Sequence, residues 1–291
     1  SWAYCQSFYA VRRDRNLIVS GGTGAARYFG DLVDDGDMGK VRPNLNLGAE
    51  YFLTGRISIR AEVTWFRIAG ADPFEKERNL SFFSDNFELA GHGVIQLFPN
   101  EKKFYQRKVI NPYVFVGYGT TWINPKTTYQ GEVYALQPLQ TEGVKYSRIQ
   151  PVIPFGFGVK FKTSPWADIS VEGNYRKTFT DYLDDVSKRR YVDRSTLPGG
   201  VEGISAKLSD RRNEIGTEPS NPTQVGVRGN PKYDDSYATV VVRLSIYVPT
   251  SFGGGGASKL YSTKRKAYKK SGGMFKMKKN RLKPHAPKKR R

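Results

Sequence analysis

An all-β fold, an eight-stranded antiparallel transmembrane β-barrel with long extracellular loops and a disordered basic C-terminal tail, is what this sequence predicts. Three observations carry it. Residues 57–66 alternate: Ile57, Ile59, Ala61, Val63 and Trp65 fall on one side of an extended chain, and Ser58, Arg60, Glu62, Thr64 and Phe66 on the other. The same period returns in eight segments, each bounded by Gly, Pro, Asn or Asp clusters. No run of about 18 apolar residues exists anywhere in the chain, so a crossing of a bilayer falls to strands, which need only about 10 alternating residues each.

The segments cover residues 17–29, 42–53, 57–67, 86–98, 111–123, 150–161, 168–179 and 237–248. In the second, Leu45, Leu47, Ala49, Tyr51 and Leu53 oppose Asn44, Asn46, Gly48, Glu50 and Phe52. The sixth sets Phe155, Phe157, Val159 and Phe161 against Pro154, Gly156, Gly158 and Lys160; the seventh sets Ile169, Val171, Gly173 and Tyr175 against Ser170, Glu172, Asn174 and Arg176. The last sets Val240, Val242, Leu244 and Ile246 against Thr239, Val241, Arg243 and Ser245. Collected on the polar side are Glu50, Glu62, Glu88 and Glu172 with Arg60, Lys160, Arg176 and Arg243, four charges of each sign, and His92 stands on the same side of the fourth strand. An eight-stranded lumen holds side chains and little else. Paired charges can plug it, because an unpaired one is costly to bury.

Connections alternate in length. Those at 54–56, 99–108 and 163–166 are tight or moderate, whereas 30–41, 68–85, 124–149 and 180–236 are long. Short turns on one rim and long loops on the other are the habit of outer-membrane barrels, with the short turns facing the periplasm, and an even strand count then places both termini there. Tyr51, Trp65, Tyr113, Trp122, Trp166, Tyr175 and Tyr247 fall toward strand ends, as interfacial aromatic girdles do. A soluble lipocalin-like ligand-binding barrel is the alternative, since alternation alone does not say which face points inward.

Composition narrows the function. The chain carries a formal charge of +20, yet 15 of its Lys and Arg residues lie from Lys259 onward, where no acid occurs. The remaining 32 basic and 27 acidic residues leave the body at only +5, so the basicity belongs to the tail and is no nucleic-acid signature of the barrel. The expected organisation is an N-terminal segment (1–16), the barrel (17–250), and a Gly-rich hinge with a basic periplasmic tail (251–291). The hinge is Gly253 to Gly256. Lys264, Arg265, Lys266, Lys269, Lys270, Lys276, Lys278 and Lys279 are the expected electrostatic contacts, toward acidic protein, lipid headgroups or cell-wall polymer. Ser1 opens the chain without a charged and apolar leader, which reads as a removed signal peptide or as a chain never exported. Cys5 stands alone and reads as an unpaired thiol.

No catalytic, cofactor or metal site emerges. His92 with Glu88 four residues earlier permits a hydrogen-bonded lumen pair, but no serine can be tied to it by spacing; an outer-membrane barrel enzyme is the weaker alternative. Asp31, Asp34, Asp35 and Asp37 lack the calcium-loop spacing, with Arg42 where a bidentate Glu is needed, and read as a solvated loop. Gly21, Gly22 and Gly24 lie inside a strand pattern with no helix after them, unlike a phosphate-cradling turn.

Several longer runs carry a resemblance: Asn79-Leu80-Ser81-Phe82, Pro112-Tyr113-Val114-Phe115-Val116-Gly117, Asn124-Pro125-Lys126, Leu136-Gln137-Pro138-Leu139-Gln140-Thr141-Glu142-Gly143, Thr178-Phe179-Thr180-Asp181-Tyr182-Leu183-Asp184-Asp185-Val186-Ser187 and Gly229-Asn230-Pro231. Through them residues 17–248 resemble the PorG family, the small outer-membrane barrel of the type IX secretion system of Bacteroidetes. The resemblance implies a non-enzymatic protein without a cofactor. It implies as partners outer-membrane lipid and a periplasmic ring of a lipoprotein and a second protein, PorK and PorN (GldK and GldN in gliding bacteria), which supports protein secretion and gliding. The Lys/Arg tail departs from the family barrel.

Overall fold

A computed structural model describes residues 15–32, 41–72, 78–100, 106–216, 227–232 and 234–249. Residues 1–14 of the N-terminal segment, with Cys5, the aspartates Asp34, Asp35 and Asp37, and every tail contact named above lie outside these residues.

In chain order the elements are β1 (Leu17–Phe29), β2 (Arg42–Phe52), β3 (Ile57–Ala71), β4 (Ser81–Gln96), β5 (Ile110–Trp122), β6 (Pro125–Tyr129), β7 (Glu132–Ala135), α1 (Leu136–Leu139), β8 (Ile149–Ser164), β9 (Ala167–Thr178), α2 (Ile204–Ser209) and β10 (Ser236–Val248). The sheet runs β3-β2-β1-β10-β9-β8-β5-β4, and β3 pairs with β4 to close it. Every pairing is antiparallel. The eight expected strands are β1 to β5 and β8 to β10, and β6 and β7 form a hairpin that extends β4 beyond the barrel.

Register fixes the barrel's shape. Stepping from partner to partner, Leu17 meets Tyr51, then Ile59, Gly93, Val116, Phe155, Tyr175, Ala238 and finally Arg27. One circuit therefore returns to β1 displaced by 27 − 17 = 10 residues. With eight strands, that stagger corresponds to a strand tilt of about 40° and a backbone radius of about 8 Å, and each residue climbs about 2.5 Å along the axis.

Side chains follow the alternation. Leu45, Leu47, Ile59, Val63, Leu89, Val116, Phe157, Val171, Val240 and Val242 are exposed on the outer face, Leu47 by 71% and Phe157 by 68%. Inside, Glu50, Arg60, Glu62, Glu172 and Arg243 are each exposed by 4% or less. A greasy exterior around a charged interior is the reverse of a soluble barrel, so the lipocalin-like alternative fails and the fold is a transmembrane β-barrel. Outward positions from Phe87 on β4 to Leu97 just past its end span about 25 Å of axial height, the thickness of the apolar band such barrels present to lipid. Trp65, Phe87 and Trp122 stand side by side in register at one edge of this band, and Tyr51, Phe161 and Trp166 lie at the other.

Two girdle assignments require correction. Tyr113 and Tyr247 point inward, each 2% exposed, because they occupy polar-side positions of their strands and their hydroxyls find carboxylates there. The connections also differ from the sequence reading. Residues 68–71 and 81–85 continue β3 and β4, because they pair with each other and with the hairpin rather than looping into solvent. The segment 124–149 holds β6, β7 and α1, and 180–236 carries α2 and two single turns of 3-10 helix.

Candidate functional site

All nine side chains expected in the lumen point into it, and eight of them form ion pairs. Arg60 is the hub: Nη1 reaches Glu172 at 2.8 Å, Nη2 reaches Glu50 at 3.3 Å, and Glu62 lies at 3.9 Å. Lys160 donates to Glu50 at 3.0 Å, while Arg243 bridges Glu62 at 2.7 Å and Glu172 at 3.0 Å. Three cations and three carboxylates thus form one continuous chain across the barrel, contributed by β2, β3, β8, β9 and β10. Tyr113 donates to Glu172 and lies with Phe115 beneath the Arg60 guanidinium, whose carbon is 5.7 and 5.5 Å from the two ring centres.

A second, smaller group lies toward the long-loop rim. Arg176 pairs with Glu88 at 3.3 Å and donates to Thr239, and Glu88 also accepts from Tyr237. Glu88 is thereby occupied, and among the described residues no hydrogen bond joins it to His92, contrary to the expected pair. The ring of His92 packs edge-on against Phe115, 5.6 Å between centres, with Nδ1 buried and unpartnered. Sequence reasoning missed a third group at the short-turn rim. There Asp168 accepts from Arg107 at 2.6 Å and from Tyr247 at 2.8 Å, and Arg107 also donates to the carbonyls of Ser164 and Pro165. Asp168 was placed at the start of a strand and Arg107 in a connection, so only register brings them together.

Above the ions the interior turns apolar. Tyr28, Phe66, Ile68, Phe82 and Tyr237 point inward near the long-loop rim and join Leu136, Tyr146, Leu183, Val186 and Leu208 of the loops in one buried cluster. The segment 180–236, read from sequence as a long loop, is therefore a packed cap over the barrel mouth along its described part. Its polar framework is built from the motif residues. Glu142 accepts from the backbone amides of Ser187 at 3.1 Å and Lys188 at 3.0 Å, and from the buried Arg228 guanidinium. Asp185, held at a φ of 68°, accepts from Thr141 and from Tyr146 at 2.7 Å. Asp31 accepts the amide of Asn230 at 2.7 Å.

Below that framework, the Tyr28 hydroxyl lies 2.8 Å from Asp184 and 2.6 Å from Asp235. One hydroxyl donates one hydrogen bond, so one carboxyl must keep its own proton to donate back. Burial pushes both well above the usual range, helped at Asp184 by the carboxylate of Asp235 and at Asp235 by that of Asp181. Burial also raises Asp185 to about 6, against the pull of Arg228, and Asp181 to about 7. Both oxygens of Asp181 are inaccessible without a well-formed hydrogen bond.

Chemically, the lumen holds a plug of paired ions. No group of three or more metal-ligating side chains is assembled among the described residues. No helix there is long and apolar enough to cross a membrane.

No protein-family model matches the chain, and no curated protein matches it. Among solved structures, it is similar to Neisserial surface protein A at 8% identity, covering 80% of this chain and 97% of that one, with a TM-score of 0.42. It is similar to the attachment invasion locus protein Ail of Yersinia pestis at 11% identity, covering 80% and 98%, with a TM-score of 0.40. It is likewise similar to the outer membrane protein OprG of Pseudomonas aeruginosa at 10% identity, covering 81% and 98%, with a TM-score of 0.36. At such identities the likeness concerns the fold, which the register above already defines: an eight-stranded membrane-spanning barrel.

Proposed function

We propose that this chain is a non-enzymatic outer-membrane barrel that serves as an anchor, tying a periplasmic ring of the PorK/PorN (GldK/GldN) kind to the membrane in type IX protein secretion. The observation that carries the anchoring part is the lumen. Its ion chain, apolar upper storey and loop cap occupy the lumen along the described residues, so the barrel's accessible surfaces are its two rims and its lipid-facing wall. The one described histidine is turned into that interior, which speaks against an enzyme barrel. β1 begins and β10 ends at the short-turn rim, Leu17 opposite Val248. In an outer-membrane barrel that rim faces the periplasm, where the Lys/Arg-rich residues after Lys259 meet acidic protein or cell-wall polymer. The secretion-system part rests on the resemblance of the runs that build the cap framework, 136–143, 178–187 and 229–231.

Fractionation of cells with and without detergent, followed by affinity purification of the full chain, tests the reading. Extraction only with detergent, heat-modifiable gel migration and co-purification of ring proteins are expected; release without detergent overturns the membrane anchor, and a detergent-dependent barrel that brings down no periplasmic partner overturns the ring assignment. Truncation after Gly256 sharpens it further. Ring retention is expected to fall and to become less sensitive to salt, and unchanged retention removes the tail from the account.

A further inference from the structure

We infer that the outer wall of β2, β3, β4 and β6, just beyond the upper aromatic row, is a binding site for the phosphorylated headgroup of an outer-leaflet glycolipid. A hollow of about 240 Å³ opens there, lined by Arg42, Ala69, Ala71, Ser81, Phe83 and Thr128 among others. Ala69 and Ala71 follow Trp65 on the outer face of β3, and Ser81 and Phe83 precede Phe87 on β4. At about 2.5 Å of rise per residue the hollow lies some 10 to 15 Å beyond the Trp65-Phe87-Trp122 row, at headgroup and sugar height rather than acyl height. Its recess comes from small side chains at consecutive outward positions of β3.

The charges around the hollow favour an anion. Arg42 is exposed on its rim and makes no ion pair among the described residues. Lys126 stands opposite Phe83 in register, and the Arg67 guanidinium lies over the same ring at 5.9 Å. Against these three cations stands Asp85, which Arg67 binds in a fork at 2.6 and 2.7 Å and which Lys126 also attracts. Among the described residues the balance is two positive charges beside a hollow that carries hydroxyls on Ser81 and Thr128, directly above an indole and phenyl ledge that borders acyl chains. A lipid that places phosphate, sugar and acyl chains in that vertical order fits; a phosphodiester without sugar leaves the hollow empty. The inference rests on the outer-membrane reading for the identity of the leaflet, and its test separates the two, because fractionation reports the membrane and the variants below report the site.

The full chain is placed in phosphatidylethanolamine nanodiscs doped with lipid A, dephosphorylated lipid A or phosphatidylglycerol, and bound lipid is counted by native mass spectrometry after extraction. The tail is common to the unmodified chain and its variants, so its own attraction for a given anionic lipid cancels between them. The unmodified chain is expected to retain lipid A over both other probes. In Arg42→Gln/Lys126→Gln, retention is expected to fall about thirtyfold, each cation near an anionic surface being worth about fivefold. Thr128→Trp, which fills the hollow without changing charge, is expected to remove the preference for lipid A over phosphatidylglycerol. Heat-modifiable migration of each variant verifies the barrel. Equal retention of lipid A by the double variant and the unmodified chain, or equal retention of phosphatidylglycerol and lipid A by the unmodified chain, overturns the site.

Discussion

The lumen and the cap bury charge in opposite ways. In the lumen, cations and carboxylates match in number and contact one another, with every member of the chain from Lys160 to Glu62 in an ion pair. In the cap, carboxylates outnumber their cations: Asp184 and Asp235 share a tyrosine hydroxyl, Asp181 has no well-formed partner, and Arg228 serves both Glu142 and the backbone of Asp185. The lumen settles its charge by pairing; the cap settles it by retaining protons. Pairing does not depend on pH near neutrality, whereas proton retention does, so one molecule joins a pH-indifferent barrel to a pH-responsive cap.

The largest effect expected is at the hub of the lumen. Replacing Arg60 by Met leaves Glu50 and Glu172 each short of a cation inside a closed wall, and loss of one partner from a buried pair costs about 3–5 kcal/mol. Urea unfolding in lipid vesicles is expected to show that loss, with Lys160→Met smaller because Lys160 meets Glu50 alone among the lumen carboxylates. An Arg60→Met barrel as stable as the parent breaks the contrast, because the ions would then be decoration on a wall held by other forces.

The next effect tests the wall. Leu47 is outward, 71% exposed, and near mid-height of the apolar band, where an arginine facing lipid costs about 2–4 kcal/mol; Ile57, at the short-turn edge, should tolerate arginine for about 0–1 kcal/mol. The ratio of the two, measured by the same unfolding assay, checks the height assigned to each strand. Equal costs would mean that the band is misplaced along the axis.

How much of this was legible follows from the same contrast. Strict alternation reports a wall whose two faces meet different solvents, so the eight strands, their inward charges and the balance of signs could be read from residues such as Arg60, Glu62 and Lys160. Partners could not. His92 and Glu88 are spaced for one another on one strand, yet Arg176 and Tyr237 arrive from β9 and β10 and take Glu88. Tyr113 and Tyr247 read as girdle residues because an aromatic near a strand end has two addresses, and only register says which. The cap was illegible for another reason. Its cluster joins Leu136, Leu183 and Leu208, from segments far apart in sequence and without period, to inward-facing Phe66 and Ile68, where alternation no longer separates polar from apolar. What the sequence did mark were the unusual runs 136–143 and 178–187, which the structure shows to be bonded to each other through Thr141, Glu142, Asp185 and Ser187.

The smallest effect is the most selective between the two regions. Asp185 and Asp181 titrate in the folded cap near about 6 and about 7, above the ordinary aspartate value of 3.8. A carboxyl whose folded value is raised holds its proton in the native state after the unfolded chain has lost it. Its contribution to stability therefore declines as pH rises from about 4 and levels off once the folded value is passed, here by about pH 7. Cap stability should fall across that window while the lumen, already ion-paired, stays level. Limited proteolysis of the loops at pH 5 and pH 8, read alongside heat-modifiable migration of the same samples, separates the responses: faster nicking of the cap at pH 8 with an unchanged barrel is expected. Asp181→Asn keeps the shape and removes the ionisation, so it should weaken the pH dependence below about 7 and leave the remainder to Asp185, Asp184 and Asp235. Nicking that is equally fast at both pH values, or a barrel that loosens together with its cap, would show that the two regions do not manage buried charge differently.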